Sequence, residues 1–153
     1  MESYPSKMNI VNLYKYGILI IKTPANWRNV TDEIEAQSPP FTLARNEGNG
    51  ALQFTVAAYK DGDFPAISNQ ELKKLLVDFQ ESRELGRSYD FAEHKDGLLI
   101  CANSFDSGEN FLRVWYCSDS LNIALVTYVC KKGHEGDELK DCEQIVGGLK
   151  FEG

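Results

Sequence analysis

The sequence predicts an α+β fold in which helices pack on an antiparallel sheet of about six or seven strands. Short apolar segments separated by tight turns recur at spacings of about 8–12 residues, which is typical of an antiparallel meander. Two other segments have the apolar period of a helix, and each follows a run of predicted strands. This order favours an antiparallel sheet over a doubly wound parallel one.

The first half of the chain contains three predicted strands, at residues 17–23, 41–45 and 51–60. The first is rich in β-branched residues, and Pro24 ends it. In the third, Leu52 and Phe54 lie on one face and Gln53 on the other, because side chains of a strand alternate. We therefore expect these three strands to form a sheet with one face toward the core.

The segment after residue 67 carries the signals of a helix start. Ser68 and Glu71 have the spacing of a capping box, in which each side chain bonds a free backbone N–H of the other residue. The apolar positions follow the spacing i, i+3, i+4, i+7 of one buried helix face: Leu72, Leu75, Leu76 and Phe79. Gly86 is the predicted stop.

The second half is predicted to be a meander followed by a helix. The strands are expected at residues 88–93, 98–105, 111–117 and 121–130, and the helix at 138–149. Turns rich in Asp, Gly and Ser separate the strands. No linker divides the chain, so residues 1–153 are expected to form a single domain, with residues 1–14 as a loose N-terminal arm.

The composition disfavours some classes of partner. The 153 residues carry a formal net charge of −7, and 42% are hydrophobic, which is enough for a core without a disulfide or a metal. Acidity disfavours nucleic acids and anionic membrane surfaces, because phosphate binding needs clustered Lys and Arg. The negative charge is consistent with simple solubility, and it would also speed association with a basic protein partner.

The N-terminal sequence and the cysteines predict a cytoplasmic protein. Glu2 lies where a signal peptide is positive, and the apolar run 18–21 is too short for a signal core or a membrane span. No pair of cysteines has C-x-x-C spacing, so buried, reduced thiols are expected. The four cysteines are Cys101, Cys117, Cys130 and Cys142.

No catalytic or cofactor-binding pattern emerges, so the sequence predicts a protein that is not an enzyme. The two histidines, His94 and His134, lie in polar stretches and are expected to be solvated. There is no nucleophile elbow, phosphate-binding glycine loop or standard zinc spacing. Cofactors and metals are therefore expected to be none.

Two groups of residues are candidates for contact with a protein partner. Trp115 and Tyr116 are neighbours on a predicted strand and must point to opposite faces, so one is expected in the core and the other under a helix or at a partner surface. Carboxylates in the turns are expected to form a negative rim for a basic patch of the partner. These candidates are Asp61, Asp63, Asp106, Glu109 and Asp119.

Residues 22–27, with Pro24 and Trp27, resemble the P-x-x-W signature of the PsbP/DcrB-like superfamily. The layout of residues 17–151 is similar as well: a hairpin, a helix, a four-stranded meander and a closing helix. The resemblance implies a scaffold shared by several functions, so it transfers no functional residue.

Shorter segments resemble small bacterial immunity proteins that are encoded beside secreted toxins. These segments are 50–54 (GALQF), 113–116 (RVWY), 118–119 (SD), 126–130 (VTYVC) and 142–146 (CEQIV). The resemblance implies an immunity protein that binds a cognate toxin, of type VI or a related secretion system, in the cytoplasm. The superfamily also implies an alternative, an adaptor chaperone for a type VI toxin effector, although Arg28 and Asn29 depart from the chaperone pattern. A small enzyme with an unrecognised site is the third reading, and the oligomeric state stays open.

Overall fold

The computed structural model describes residues 12–58 and 67–152. In these ranges the chain forms ten strands and two α-helices. The strands are β1 (Asn12–Tyr16), β2 (Leu19–Thr23), β3 (Trp27–Asn29), β4 (Phe41–Arg45), β5 (Gly50–Ala58), β6 (Tyr89–His94), β7 (Leu99–Ser107), β8 (Asn110–Ser118), β9 (Asn122–Lys131) and β10 (Lys150–Phe151), and the helices are α1 (Asn69–Ser82) and α2 (Gly136–Gly147).

The strands form two sheets in which all neighbours are antiparallel. The larger sheet has seven strands in the order β3-β4-β5-β9-β8-β7-β6, and the smaller has the order β1-β2-β10. The predicted class, α+β with an antiparallel sheet of about six or seven strands and helices packed on it, is confirmed.

The larger sheet is the middle layer of three, because its strands bury side chains on both faces. On β8, Trp115 and Cys117 face one core, which also contains side chains of α2 and β2. Leu112 and Val114 face the opposite core, which the apolar stripe of α1 covers. Neither described helix has the combined length and apolar character that crossing a bilayer would require.

Helix α1 begins as predicted and ends earlier. Both hydrogen bonds of the capping box between Ser68 and Glu71 are present. The helix ends at Ser82, before Gly86, because Glu84 adopts a φ of 52° and the N–H of Leu85 donates to the Gln80 carbonyl. The left-handed residue that terminates the helix is therefore a glutamate and not the predicted glycine.

Three expectations for the N-terminal half are wrong. Residues 12–14 belong to β1 and not to a loose arm; residues 1–11 lie outside the described range. Trp27 begins β3, a short strand where none was predicted. The first predicted strand, observed as β2, does not join β4 and β5 in one sheet. It pairs with β1 through a short turn at Gly17, whose φ of 60° suits a tight hairpin, and this local pairing takes β2 into the smaller sheet.

Candidate functional site

The structure separates the two aromatic candidates of β8. Trp115 is 1% exposed, and its Nε1 donates to Glu143 Oε1 at 2.9 Å, so it is a core residue and not part of a partner surface. Tyr116 lies under α1, where its ring packs edge-on against Phe79 at 6.5 Å between centroids. Burial raises the pKa of Tyr116. Helices dock on both faces of β8, so the Trp115 ring is buried and the Tyr116 ring is partly buried.

The acidic candidates do not share one edge of the sheet. Asp106 and Glu109 lie at the β7–β8 turn, and Asp119 lies at the β8–β9 turn, at the other end of β8. Asp106 accepts a hydrogen bond from Tyr89 Oη at 2.7 Å and is 3.5 Å from Lys132 Nζ. Asp119 accepts from the backbone of its own turn, at Leu121 and Asn122.

Asp61 and Asp63 lie outside the described residues. Two described residues flank them. Ala58 pairs with Asn122 in the β5–β9 ladder, and the N–H of Ile67 donates to the Ser120 carbonyl, so both flanks lie at the Asp119 end of the sheet. The part of the expected rim that includes Asp61 and Asp63 therefore stays a prediction.

The P-x-x-W motif fastens α2 to the sheets. Trp27 is buried, its backbone N–H donates to the Pro24 carbonyl at 3.2 Å, and its Nε1 donates to Asp141 Oδ2 at 2.9 Å. Asp141 and Glu143, both on α2, thus each accept from a buried tryptophan. The motif has a structural role here, because it orders a helix against the core.

A half-exposed apolar surface lies along α1 and the edge strand β6. We call it the α1–β6 face and define it by Lys73, Val77 and Phe91. Phe91 is 50% exposed and Val77 49% exposed. Lys73 Nζ lies 5.7 Å from the centroid of the Phe91 ring, and Val77 follows Lys73 by one helical turn on the same side of α1.

A β-bulge fixes the β6 part of this face from inside the molecule. The register of β6 against β7 shifts between Tyr89 and Ala92, and Asp90 has a φ of 55°. The buried guanidinium of Arg113 donates to the Asp90 carbonyl at 2.6 Å and to Ser104 Oγ at 3.0 Å, and its Nε donates to Glu143 Oε2 at 3.0 Å. Bulges redirect side chains and interrupt an edge that would otherwise pair with another strand.

A cleft of about 590 Å³ adjoins the face, between the start of α1 and the end of β6. Asn69 Nδ2 donates to Glu93 Oε2 at 3.0 Å and to the His94 carbonyl at 3.1 Å, and Lys73 Nζ is 3.3 Å from Glu93 Oε2. Burial alone would raise the pKa of the Glu93 carboxyl group. The hydrogen bond from Asn69 and the charge of Lys73 have the larger combined effect, so the pKa of Glu93 lies below its ordinary value. The cleft is lined by Ile67, Ser68, Asn69, Gln70, Lys73, Glu93, Lys95 and Leu99.

The thiol nearest the cleft is poorly suited to nucleophilic chemistry. Cys101 is fully buried beneath the start of α1, with its Sγ 3.7 Å from the Asn69 carbonyl oxygen. Burial raises its pKa to about 11, so the thiolate is scarce at neutral pH. Within residues 12–58 and 67–152, no three His, Cys, Asp or Glu side chains are grouped to hold a metal ion.

The sequence did not predict the α1–β6 face, because all the candidate contact residues came from the long strands and the turns. Two signals were present. Val77 lies off the buried stripe of α1, and Phe91 is a large apolar residue on a short strand that also carries Asp90 and Glu93. Apolar residues at such positions indicate either partial burial or contact with a partner.

Comparison with known proteins identifies the scaffold. No protein-family model and no curated protein matches the chain. Among solved structures, it is similar to the solution structure of cyanobacterial PsbP (CyanoP) from Synechocystis sp. PCC 6803, with a TM-score of 0.56 over 99% of this chain and 98% of that one. The fold is PsbP-like. The identity between the two sequences is 9%, so the likeness concerns the fold alone.

Proposed function

We propose that this PsbP-like chain is a non-catalytic protein-binding module, and specifically an immunity protein that neutralises a cognate secreted bacterial toxin. The observation that carries the proposal is the α1–β6 face, where Phe91 and Val77 are half exposed. Interfaces concentrate their binding energy in a few aromatic or apolar anchors surrounded by polar residues. Lys73, which lies over the Phe91 ring and beside Glu93, provides such polar surroundings.

The rigidity of this face supports a binding role. Helix α1 is anchored through its opposite side by Leu72, Leu76 and Phe79, and Arg113 holds the bulge that precedes Phe91. A face that is ordered before association loses less conformational entropy on binding. The net charge of −7 adds a favourable field for a basic toxin and speeds encounter.

The toxin as the partner rests on the resemblance of five short segments to immunity proteins. An immunity protein of this kind would act by occlusion, covering the toxin's active site over an interface of roughly 1,600 Å² in total. Such a mechanism needs no catalytic group on the inhibitor.

The proposal expects the gene next to that of this protein to encode a secreted toxin, and the test is co-expression of the two. We expect the wild-type chain to restore growth. The double variant Phe91→Ala, Val77→Ser should raise the dissociation constant of the complex by about 30-fold or more, because it removes two anchors. Calorimetry of the complex gives the affinity, and thermal unfolding confirms that the variant is folded.

Leu121→Ser is the matched control, since Leu121 is 65% exposed in the β8–β9 turn and lies outside the α1–β6 face. It should leave neutralisation unchanged. A wild-type chain that fails to relieve the toxin would exclude the immunity function. Full protection by the double variant would exclude the α1–β6 face but leave the function standing.

One observation favours the alternative, a type VI adaptor chaperone. A groove of about 330 Å³ lies on the α1 side of the larger sheet, between the end of α1 at Phe79 and the partly exposed Val129 of β9. A chaperone could shelter an apolar client helix there. A dimer in light scattering, together with loss of toxin export in Val129→Glu, would favour the chaperone over the immunity protein.

A further inference from the structure

The smaller sheet has an open edge at β1. Its order is β1-β2-β10, and in the described part of the chain β1 pairs only with β2. Tyr16 and Leu19 close a two-residue turn and so form a hydrogen-bonded pair. Such pairs alternate along an antiparallel ladder, so the N–H and C=O groups of Leu13 and Lys15 point away from β2. These groups are available to a further strand.

The outer surface of this sheet alternates apolar and cationic side chains. Leu13 lies opposite Lys22, and Ile20 lies between Lys15 and Lys150, while the other side chains of β2 face the core. Leu13 is 67% exposed, the largest fraction among the large hydrophobic residues that the structure describes. We call these five residues the β1 surface.

The β1 surface is cationic, although the chain has a formal net charge of −7. Glu152 pairs with Lys15, and over residues 12–58 and 67–152 neither Lys22 nor Lys150 has an ion pair. An ammonium group has three donors, so Lys15 can bind a second carboxylate beside Glu152. The excess of positive charge complements an acidic partner.

We propose that β1 receives an extended acidic segment of another protein as an additional antiparallel strand of the smaller sheet. The segment would place a carboxylate opposite Lys15 and an apolar side chain opposite Leu13, in the order acidic–x–apolar from its N-terminus. A second copy of this chain fits less well, because pairing of two β1 strands would bring the lysines of both copies onto one surface.

The β1 surface and the α1–β6 face are on different sides of the molecule. The smaller sheet packs on the core that contains α2, whereas α1 covers the opposite core. Failure of this proposal would therefore leave the proposed function untouched.

Three pentapeptides, each acetylated and amidated, test the charge and the main-chain bonds. The first is Thr-Glu-Thr-Val-Thr, the second has Lys in place of Glu, and the third is the first with N-methyl groups on the Glu and Val amides. Each is titrated into the ¹⁵N-labelled full chain at low ionic strength. The first should shift the amide signals of Leu13 and Lys15 and bind about fivefold more tightly than the second. The third should not bind, because its methylated amides cannot donate to β1.

Variants of β1 assign the contacts. Lys15→Glu should abolish the preference for the acidic peptide. Lys74→Glu is the matched control, because it makes the same charge change on an exposed residue of α1 and should keep that preference. Leu13→Ser should weaken binding by about two- to threefold. Leu13→Pro should abolish it, because proline removes the outward N–H and leaves the β1–β2 ladder intact.

The peptide comparison uses the wild-type chain, so it decides even if a variant is unstable. Equal binding of the first peptide and either of the others, absence of shifts at Leu13 and Lys15, or equal effects of the two lysine variants would overturn the proposal. Light scattering and sedimentation with vesicles of phosphatidylcholine and phosphatidylserine examine other occupants. Without a peptide preference, a dimer that Leu13→Pro dissociates would identify a second copy, and vesicle binding that Lys15→Glu abolishes would identify a membrane surface. Either result would also overturn the proposal.

Discussion

Glu138 shows how one residue of a polar helix start joins separate parts of the fold. It is buried, and its carboxylate accepts from the N–H of Asn49 at 2.9 Å, from the N–H of Gly50 at 2.7 Å and from Tyr128 Oη at 2.8 Å. The approach is so close that a Cβ at Gly48 would collide with the carboxylate. Glu138 therefore ties α2 to the β4–β5 turn and to the centre of β9.

Glu138→Gln should destabilise the protein by about 2–3 kcal/mol, because the amide offers one acceptor in place of two charged ones and turns an N–H₂ toward donors. Urea unfolding followed by circular dichroism gives the change in the free energy of unfolding. Asp137→Asn, at the neighbouring exposed position, should stay within about 0.5 kcal/mol. Equal effects of the two variants would contradict this role for Glu138.

At the same scale, the sequence predicts the direction of a side chain better than its surroundings. The two-residue period correctly assigned Trp115 and Tyr116 to opposite faces, but burial of both depended on where α1 and α2 dock. The carboxylate partners of the tryptophans, Asp141 and Glu143, are distant in sequence, and no local pattern indicates them. Phe91 was not predicted to be exposed, because no local pattern shows that β6 is an edge strand.

Among the elements, those determined by local patterns were predicted and those determined by pairing were not. The capping box and the apolar stripe of α1 are contained in a dozen or so residues, and the long strands β7, β8 and β9 have their own turns. In contrast, β3 and β10 are short and exist because each pairs with one strand of a sheet. Such strands have too few residues for a period to be visible.

The start of α1 should make stability depend on acid pH. The hydrogen bond from the Ser68 side chain lowers the pKa of Glu71, and contacts with Asn69 and Lys73 hold that of Glu93 low despite burial. Both carboxylates are thus stronger acids in the folded state, so their stabilisation is present above the ordinary value of 4.5 and is lost as pH falls through their folded pKa values.

We therefore expect the free energy of unfolding to fall between about pH 5 and pH 3 more steeply in the wild type than in Glu71→Gln, Glu93→Gln. Urea titrations at several pH values measure the difference. Glu84→Gln, beyond the end of α1, removes a charge without touching this start and should keep the wild-type slope. An identical slope in the double variant would show that these contacts do not persist in solution.

At the scale of the whole molecule, the two cores share one sheet. Strands β7 and β8 send alternate side chains into both cores, so neither the α1 layer nor the α2 layer has a complete core of its own. The single domain predicted from the sequence should therefore unfold as one cooperative unit.

The four buried cysteines provide a test, because they lie in different layers. Cys101 belongs to the α1 core, whereas Cys117, Cys130 and Cys142 belong to the α2 core, and burial raises the pKa of each thiol. In the native state at pH 8, a thiol reagent such as Ellman's should therefore label none of them rapidly. With increasing urea, all four should become reactive at one midpoint, equal to that from circular dichroism. Labelling of Cys101 at a lower urea concentration than the other three would show instead that α1 detaches while the sheet and α2 stay folded.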